Sequence, residues 1–260
     1  MPEALLYEKP VLLNRDLHRH RKIAARSSYA FARGANSLPA ACAEFNEACK
    51  AYAIVFTRET GGKITPVVML GLRERENLFV DAQGRWTAGY VPAFVRRYPF
   101  VLAELPDRQM GVCIDEAHAG LNETEGEALF DADGKDTPFL TGALDFLNRY
   151  QIEHMRTGEF CQRLLDAGLL TPMNARADLA DGSRLMVSDF LIVDEKQLMA
   201  LPDAKVLALF RAGDLHLISL HLASLSNMQR LTDKLAEKKR SMAPAPRPLD
   251  PTADSEPGAA

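Results

Sequence analysis

Residues 53–72 read AIVFTRETGGKITPVVMLGL, and this stretch decides the predicted fold. Two runs within it, Ala53–Thr57 and Ile64–Leu72, are rich in Val, Ile and Thr and are typical of β-strands. Between them, Thr60-Gly61-Gly62-Lys63 predicts a tight turn, because glycine readily adopts the positive φ that hairpin turns require. The stretch therefore predicts an antiparallel β-hairpin.

Further turns of this kind follow along the chain. They are predicted at 81–84, which reads DAQG, and at 180–183, which reads ADGS, because Asp and Gly tolerate turn geometry. The second turn separates the predicted strands Met173–Leu179 and Arg184–Val193, and Met110–Asp115 is another predicted strand. The sequence therefore predicts several hairpins.

The longest predicted helix runs from Thr137-Pro138 to about Asp166. Apolar residues recur in it at intervals of three and four, which is the period of a helix, and Gly168 is expected to end it. Shorter helices are predicted over 39–51, 91–98, 194–199, 202–212 and 214–238.

This order of elements favours an α+β fold over a doubly wound parallel sheet, because strands and helices do not alternate strictly. We expect a mixed or mainly antiparallel sheet with several hairpins, a long central helical region and a C-terminal helix. Residues 1–240 are expected to form one domain, and two subdomains meeting near residue 136 are the alternative. The Pro- and Ala-rich residues 241–260 are expected to be disordered, because they offer little apolar surface to bury.

Composition narrows the class of protein. Of the 260 residues, 47% are hydrophobic and 25% are charged, as in an ordinary globular protein. The net charge of −4 argues against binding to nucleic acid through phosphate neutralisation. No apolar run approaches the roughly 18–20 residues that span a bilayer, so no membrane span is expected. The sequence contains neither GxGxxG nor GxxxxGK[ST], and no cofactor is expected.

The first residues and the cysteines both bear on localisation. Glu3, Glu8 and Lys9 interrupt the apolar residues near the N-terminus, whereas a secretory signal needs a continuous apolar core. The four cysteines are widely spaced and form no CxxC pair, which favours free thiols in a reducing compartment. A cytoplasmic protein is therefore expected, and its oligomeric state is left open.

His18 and His20 are the weak candidates for metal ligands. Two residues apart, they share a face if the segment is a strand, and a distant carboxylate would complete a two-histidine, one-carboxylate site. The alternative, which the sequence favours, is an exposed basic segment and no metal site.

The acidic stretch from Glu123 to Asp136 also attracts attention. Glu125 and Glu127 would share a face of an extended segment, as an acid–base pair does. The alternative, which the sequence favours, is a solvated acidic loop. Asp131 and Asp133 resemble the start of a calcium-binding loop, but the later ligand positions do not match, so a hairpin turn is favoured.

A block of arginines and aromatic residues lies between residues 77 and 97. Arginines beside aromatic rings bind carboxylates, phosphates or sugars, although packing of the arginine stems over the core is the alternative. The predicted binding surface is formed by Asn77, Trp86, Tyr90, Arg96, Arg97, Glu125 and Glu127.

The last helix carries His216 and His221 near several serines. No GxSxG elbow accompanies them. A histidine in a leucine-rich helix is more typically a core or boundary residue, so both are expected to be structural.

Short motifs occur along the chain from about Val11 to Leu235 and together resemble the SapC family, bacterial proteins of about this length. Two positions depart from the family pattern. Ala53 stands where a proline is expected before Ile54, and Met228 stands where an aromatic residue is expected after Asn227. The motifs are Asn77-Leu78-Phe79-Val80, Gly84-Arg85-Trp86, Tyr90-Val91-Pro92, Arg96-Arg97-Tyr98-Pro99-Phe100, Cys113-Ile114-Asp115-Glu116, Glu125-Gly126-Glu127-Ala128-Leu129-Phe130, Asp133-Gly134, Gly168-Leu169-Leu170-Thr171-Pro172, Val193-Asp194-Glu195 and His221-Leu222-Ala223-Ser224-Leu225 with Asn227.

The resemblance implies a link to bacterial surface layers. Its cysteines and methionines make this chain unlike an exported surface-layer subunit, so an accessory role inside the cell is the interpretation that we favour. Similar proteins are encoded near outer-membrane uptake receptors, cupin-like proteins and halogenase-like flavoproteins, which indicates a modification or uptake pathway. The family supplies no catalytic residues to carry over.

Three hypotheses follow. The leading one is a cytoplasmic, non-catalytic binding or accessory protein linked to surface-layer, envelope or uptake pathways, with an unknown protein, peptide or small-molecule partner. The alternative is a metal-assisted enzyme that modifies a peptide or sugar component of the envelope through the histidine and glutamate pairs above. A structural subunit, the third, predicts a flat apolar patch on the last helix.

Overall fold

The computed structural model describes residues 6–59, 61–105, 109–178 and 184–242. The strands are β1 (Pro10–Leu12), β2 (Lys22–Ile23), β3 (Ser37–Pro39), β4 (Ile54–Arg58), β5 (Ile64–Met69), β6 (Phe100–Glu104), β7 (Met110–Asp115), β8 (Leu121–Asn122), β9 (Glu127–Ala128), β10 (Leu170–Asp178) and β11 (Arg184–Val193). The helices are α1 (Phe45–Ala48), α2 (Ala93–Arg96), α3 (Pro138–Asp166), α4 (Glu195–Met199), α5 (Asp203–Ala212), α6 (Asp214–Ser224) and α7 (Asn227–Met242), with 3-10 helices at Ala30–Ala32 and Cys42–Glu44.

The largest sheet has five strands in the order β10-β11-β4-β5-β3, and neighbouring strands in it pair antiparallel. The predicted hairpin lies at its centre, with Val55 opposite Val67 and Arg58 opposite Ile64. Every residue of β5 is buried, because this strand lies between β4 and β3 and contacts α3. The α+β class with a mainly antiparallel sheet is therefore confirmed.

The other predicted turns have mixed outcomes. The 81–84 turn is confirmed by the hydrogen bond from the Gly84 amide to the Asp81 carbonyl oxygen and by a bridge between Val80 and Trp86. β10 and β11 pair antiparallel from Leu170 to Asp178, as the 180–183 turn requires. That turn itself lies outside the described residues, as does Thr60 of the first turn.

Two three-stranded sheets complete the β structure. β1, β7 and β6 form one, and β8, β2 and β9 form the other. β7 matches the predicted strand at Met110–Asp115. The short strands β8 and β9 pair with Lys22 and Ile23 on either side of β2.

The long helix α3 begins and ends where local signals predict. The Thr137 hydroxyl accepts the Leu140 amide at 3.3 Å, and Gly168 adopts a φ of +71° after the last turn, the left-handed conformation that favours glycine. Along its length the helix packs against two hydrophobic clusters. Leu140 and Leu147 belong to the smaller cluster, and Phe160 belongs to the main core.

Buried polar side chains attach α6 to the main sheet. His221 Nε2 accepts the Val193 amide of β11 at 3.0 Å, and its Nδ1 lies 2.8 Å from the Ile54 carbonyl oxygen of β4. The Ser224 hydroxyl accepts the Ile54 amide at 2.9 Å. After the break between α6 and α7, Asn227 donates to the Cys49 carbonyl oxygen at 2.7 Å. These contacts confirm the structural role expected for His221.

Three predicted helices are shorter or divided. Instead of one helix over 39–51, Leu38 and Pro39 pair with β5, which overrides the local helical spacing, and only the 3-10 helix and α1 follow. The predicted 91–98 helix is reduced to α2, because β6 begins directly after Pro99. The predicted 214–238 helix is divided into α6 and α7, and the side chain of Asn227 binds backbone at the division.

The C-terminal prediction is mostly untested. α7 continues to Met242, and the rest of the predicted tail, residues 243–260, lies outside the described residues. The division of the chain into one domain or two also stays a prediction.

Across the described ranges, no single helix combines the length and the apolar character needed to cross a bilayer. The helices after Pro202 meet that criterion only together, as a pair bent by 88°.

Candidate functional site

A cleft of about 570 Å³ lies where the two hydrophobic clusters meet. Its walls come from the segment before and after Ala25, the junction of α2 and β6, the loop around His118, β9, and the first turns of α3. Cavities of this size accommodate small molecules. The lining residues are Ile23, Ala24, Ala25, Arg26, Tyr29, Arg96, Arg97, Tyr98, Pro99, Phe100, His118, Gly126, Glu127, Phe139, Gly142, Ala143 and Phe146.

Arg96 presents a cation at this cleft. Its guanidinium carbon lies 5.6 Å from the ring centroid of Tyr90 and 5.2 Å from that of Phe146. Nε donates to the Val91 carbonyl oxygen at 3.0 Å, and Nη2 donates to the Tyr90 hydroxyl at 3.2 Å. Within the part of the chain that the structure describes, no carboxylate pairs with this exposed arginine. The guanidinium is thus held in place by neutral groups.

Glu44 fixes the position of Tyr90. Its Oε1 accepts the Tyr90 hydroxyl at 2.7 Å and the Ala93 amide at 2.6 Å, and its Oε2 accepts the Ala41 amide at 2.9 Å. Burial and the negative charge of Glu44 both raise the pKa of Tyr90. The phenol therefore stays protonated and remains a donor to the carboxylate, which orients the oxygen that receives Arg96.

Arg26 lines the cleft and binds backbone carbonyl groups at the end of α2. Its guanidinium donates to the carbonyl oxygens of Val95 at 3.3 Å and Arg96 at 3.2 Å, and also to that of Tyr98. Burial lowers the pKa of Arg26, although the effect is opposed by Tyr29. Arg26 thus stabilises the end of α2, where carbonyl groups lack helical partners.

His118 is the histidine that lines the cleft. Its ring stands edge-on to that of Tyr98, with centroids 5.1 Å apart. Burial lowers the pKa of His118, and the positive charge of Arg26 lowers it further, while Asp115 acts in the opposite direction. His118 is therefore a neutral hydrogen-bonding group near pH 7.

Asp115 is buried, and its carboxylate oxygens have hydrogen-bond partners. Its carboxylate accepts the amides of Glu8 at 3.1 Å and Lys9 at 2.8 Å, and the hydroxyl of Tyr98 at 3.2 Å. These hydrogen bonds connect the N-terminal segment to β7.

Arg97 plays a different part from Arg96. It is buried, with 7% of its surface exposed, and its guanidinium carbon lies 3.9 Å from the ring centroid of Phe94 and 5.1 Å from that of Tyr150. Arg97 lines the cleft, but its guanidinium is buried against aromatic rings instead of remaining in solvent.

Asn77 and Trp86 do not line the cleft. Asn77 is buried and donates to the Ala32 carbonyl oxygen at 3.0 Å. Trp86 donates from Nε1 to the Tyr52 hydroxyl at 2.8 Å. Its ring stands edge-on to Tyr29, a residue of the cleft wall, at 5.7 Å. The structure thus brings Arg96 and Arg97 to the cleft, whereas Tyr90, which contacts Arg96, is not one of its lining residues.

The two predicted glutamates are separated by a turn. Gly126 between them has a φ of +94°, so Glu125 and Glu127 do not share a face of one extended segment. Glu127 lies in β9 and lines the cleft, whereas Glu125 lies outside it. The expected face shared by the pair is therefore wrong, and Glu127 alone joins the arginines.

The Asp131 region is a hairpin turn, as favoured over a calcium loop. Asp131 Oδ1 accepts the amides of Asp133 at 2.9 Å and Lys135 at 2.8 Å. The Phe130–Asp136 bridge closes the turn. The Asp131 carboxylate thus binds backbone amides of its own turn.

The histidine pair is also divided. Both residues lie in turns rather than in a strand, and His18 is 2% exposed whereas His20 is exposed. His18 Nδ1 contacts the Asn14 backbone, and its Nε2 lies 3.7 Å from Glu116 Oε1. The expected exposure of the whole segment is therefore wrong for His18, because its ring packs inward. Among the described residues, no group of three or more His, Cys, Asp or Glu side chains is arranged to hold a metal ion.

Sequence reasoning missed Arg26, Glu44 and His118. The signals for them are weak, since Arg26 and His118 belong to no recognisable spacing. Glu44 precedes a helix in the manner of a capping residue, but its partners Tyr90 and Ala93 lie more than forty residues away in the chain.

The fold and the cleft define an α+β protein with an arginine-bearing, aromatic-walled cleft at the junction of two hydrophobic clusters. The family model SapC matches residues 13–231, which is most of the chain. The chain belongs to the SapC family. Neither a curated protein nor a solved structure matches it.

Proposed function

We propose that this SapC-family protein is a non-catalytic binding protein that acts as an accessory factor in the bacterial cytoplasm. The family name supports a link to surface-layer, envelope or uptake pathways. The free cysteines support a reducing compartment. Burial raises the pKa of the Cys42 thiol and of the Cys161 thiol to about 12, so both act as small apolar groups rather than as nucleophiles.

The ligand that fits the cleft is a small molecule with an anionic group on an aromatic or apolar body. The observation that carries this proposal is the guanidinium of Arg96, which is held between Tyr90 and Phe146 without a carboxylate partner among the described residues. An arginine oriented in this way binds a carboxylate or phosphate with little loss of side-chain entropy. Phe139 and Phe146 provide the apolar wall.

Glu127 adds selectivity to the proposed site. It lies on the same cleft as Arg96 and Arg97 and is exposed. A ligand with a second negative charge near β9 would be repelled, whereas a donor group there would be favoured. The neutral imidazole of His118 provides a further hydrogen-bonding position.

Phenylacetate is a suitable probe of this site, and benzylamine is its charge-reversed counterpart. Binding can be followed by the fluorescence of Trp86, the single tryptophan, because its ring contacts Tyr29 of the cleft wall. A fragment of about ten non-hydrogen atoms is expected to gain about 4 kcal/mol, which corresponds to a Kd near 1 mM. Benzylamine is not expected to show saturable binding in the same titration.

Two variants complete the test. Arg96→Gln should weaken phenylacetate binding at least tenfold, because it removes the charge. Arg211→Gln, on exposed α5 outside the cleft, should leave the Kd unchanged. Equal affinity for the two probes, or the same Kd in wild type and Arg96→Gln, would contradict the proposed ligand class.

A further inference from the structure

A second cavity, here called the α7 groove, has a volume of about 380 Å³. It lies between α7, the end of α1 and the loop 87–90. Its lining residue Tyr90 also contacts Arg96 of the cleft. Three cations and one carboxylate line it, in a chain whose net charge is −4. The lining residues are Glu47, Lys50, Ala51, Phe79, Thr87, Ala88, Gly89, Tyr90, Arg230 and Lys234.

Lys234 is held in position at the base of this groove. Its ammonium lies 4.9 Å from the ring centroid of Phe79, which is 1% exposed, and donates to the Thr87 hydroxyl at 3.3 Å. The side chain itself is half-buried. A lysine fixed on a buried ring has already lost much of the side-chain entropy that binding would otherwise cost.

Arg230 lies one turn earlier on the same face of α7, so the two cations point toward one space. Its Nη1 donates to the Lys50 carbonyl oxygen at 3.1 Å. The nearby carboxylate of Asp233 accepts from Gln229 at 3.0 Å instead. Among the described residues, neither Arg230 nor Lys234 is ion-paired.

The next cation on this face behaves differently. Lys238 lies one turn beyond Lys234 and outside the groove, and its ammonium pairs with Glu76 at 3.1 Å. On this face of α7, the cation outside the groove thus has a carboxylate partner. Among the described residues, the two α7 cations that line the groove have none. Glu47 is paired with Lys50, three residues further along the chain, which leaves Arg230 and Lys234 as the uncompensated charges of the groove.

We propose that the α7 groove is a second binding site, for a small molecule that carries a phosphomonoester. Two cations from successive helix turns match a compact dianion, and arginine and lysine are the residues that bind phosphate oxygens best. The Thr87 hydroxyl accepts from the Lys234 ammonium at 3.3 Å and donates to the Phe79 carbonyl oxygen at 3.2 Å, which holds this cation at the groove. Ala88 and the ring of Phe79 form an apolar wall for the body of the ligand.

The test is isothermal titration of the full chain with glycerol 1-phosphate at low ionic strength. We expect saturable binding that sodium acetate at the same ionic strength does not displace. Arg230→Gln combined with Lys234→Gln should weaken binding at least tenfold. The charge-matched control, Lys205→Gln combined with Arg211→Gln on exposed α5, should leave the Kd within twofold of wild type.

Several outcomes would overturn the proposal. They are an unchanged Kd in the α7 double variant, equal competition by acetate, and the absence of binding by wild type. Vesicles containing phosphatidic acid form a separate arm, and binding to them without binding to glycerol 1-phosphate would show a membrane-docking surface instead. Far-UV circular dichroism confirms that each variant is folded. The two sites have different probes, so failure at the cleft would appear with phenylacetate and failure at the α7 groove with glycerol 1-phosphate.

Discussion

The neutral imidazole of His221 should make the stability of the fold fall when the pH drops below neutrality. His221 is fully buried, and both ring nitrogens are used by backbone groups of β4 and β11. Nε2 accepts the Val193 amide, so Nδ1 carries the proton toward Ile54. Protonation would place a second proton on Nε2, against the amide that it binds.

The magnitude follows from the pKa difference between the folded and unfolded states. Burial lowers the pKa of His221 from 6.5 to about 4, although its hydrogen bond to Ile54 acts in the opposite direction. A lowered pKa means that the stabilisation is complete above the unfolded value of 6.5 and is lost as the pH falls toward 4. Between pH 7 and pH 5 the loss is about 2 kcal/mol.

Urea unfolding at pH 7 and pH 5 measures this loss as a change in the free energy of unfolding. The comparison uses wild type, His221→Gln and, as the matched control, His216→Gln, whose histidine is exposed on the same helix. Other titrating groups contribute equally to all three proteins, and their contribution therefore cancels. His221→Gln is expected to be less stable at pH 7 by about 1–3 kcal/mol, because one backbone group loses its partner.

The result that supports the reasoning is a pH-dependent loss about 2 kcal/mol smaller in His221→Gln than in the other two proteins. Equal losses in all three would refute it, because they would show that His221 binds protons alike in the folded and unfolded states.

Three further predictions concern stability. Arg163→Met should lower the free energy of unfolding by about 3 kcal/mol, because it leaves the fully buried Asp214 without the guanidinium that binds it at 2.6 and 2.8 Å; Arg149→Met, at an exposed position of the same helix, is the control for denaturant unfolding. Gly126→Ala should cost about 2 kcal/mol or more, since its Cβ would lie 2.1 Å from a carbonyl oxygen of β2 at a φ of +94°. Gly142→Ala, where nothing lies within 4 Å, should raise the melting temperature slightly, and a loss there would contradict this account of the helix.

Elements that depend on neighbouring residues were predictable. The helix after Thr137 has a capping hydroxyl, a proline in its first turn and glycine after its last, all within the helix or beside it. Asp194 caps α4 by accepting the amides of Lys196 and Gln197, again a local interaction. The hairpin at 54–69 depends on strand propensity and turn glycines, which are also properties of the local sequence.

Elements that depend on distant partners could not be predicted from the sequence. Residues 37–39 form a strand because they lie beside β5, although the letters that follow have helical spacing. Arg96 and Arg97 are adjacent and chemically identical, but one faces the cleft and the other packs on Phe94. A choice between these two roles requires the positions of Phe146 and Tyr150 on α3.

The sequence by itself determined the α+β class, the central hairpin, the long helix and, through its motifs, membership of the SapC family. Only the tertiary structure decided which polar residues form a site. Asn77 is buried in the core, Glu125 is separated from Glu127, and Arg26 and His118 line the same cleft as Arg96. The physical reason is that turns and caps are stabilised within a few residues, whereas a cleft exists only where packed elements from distant parts of the chain leave space between them.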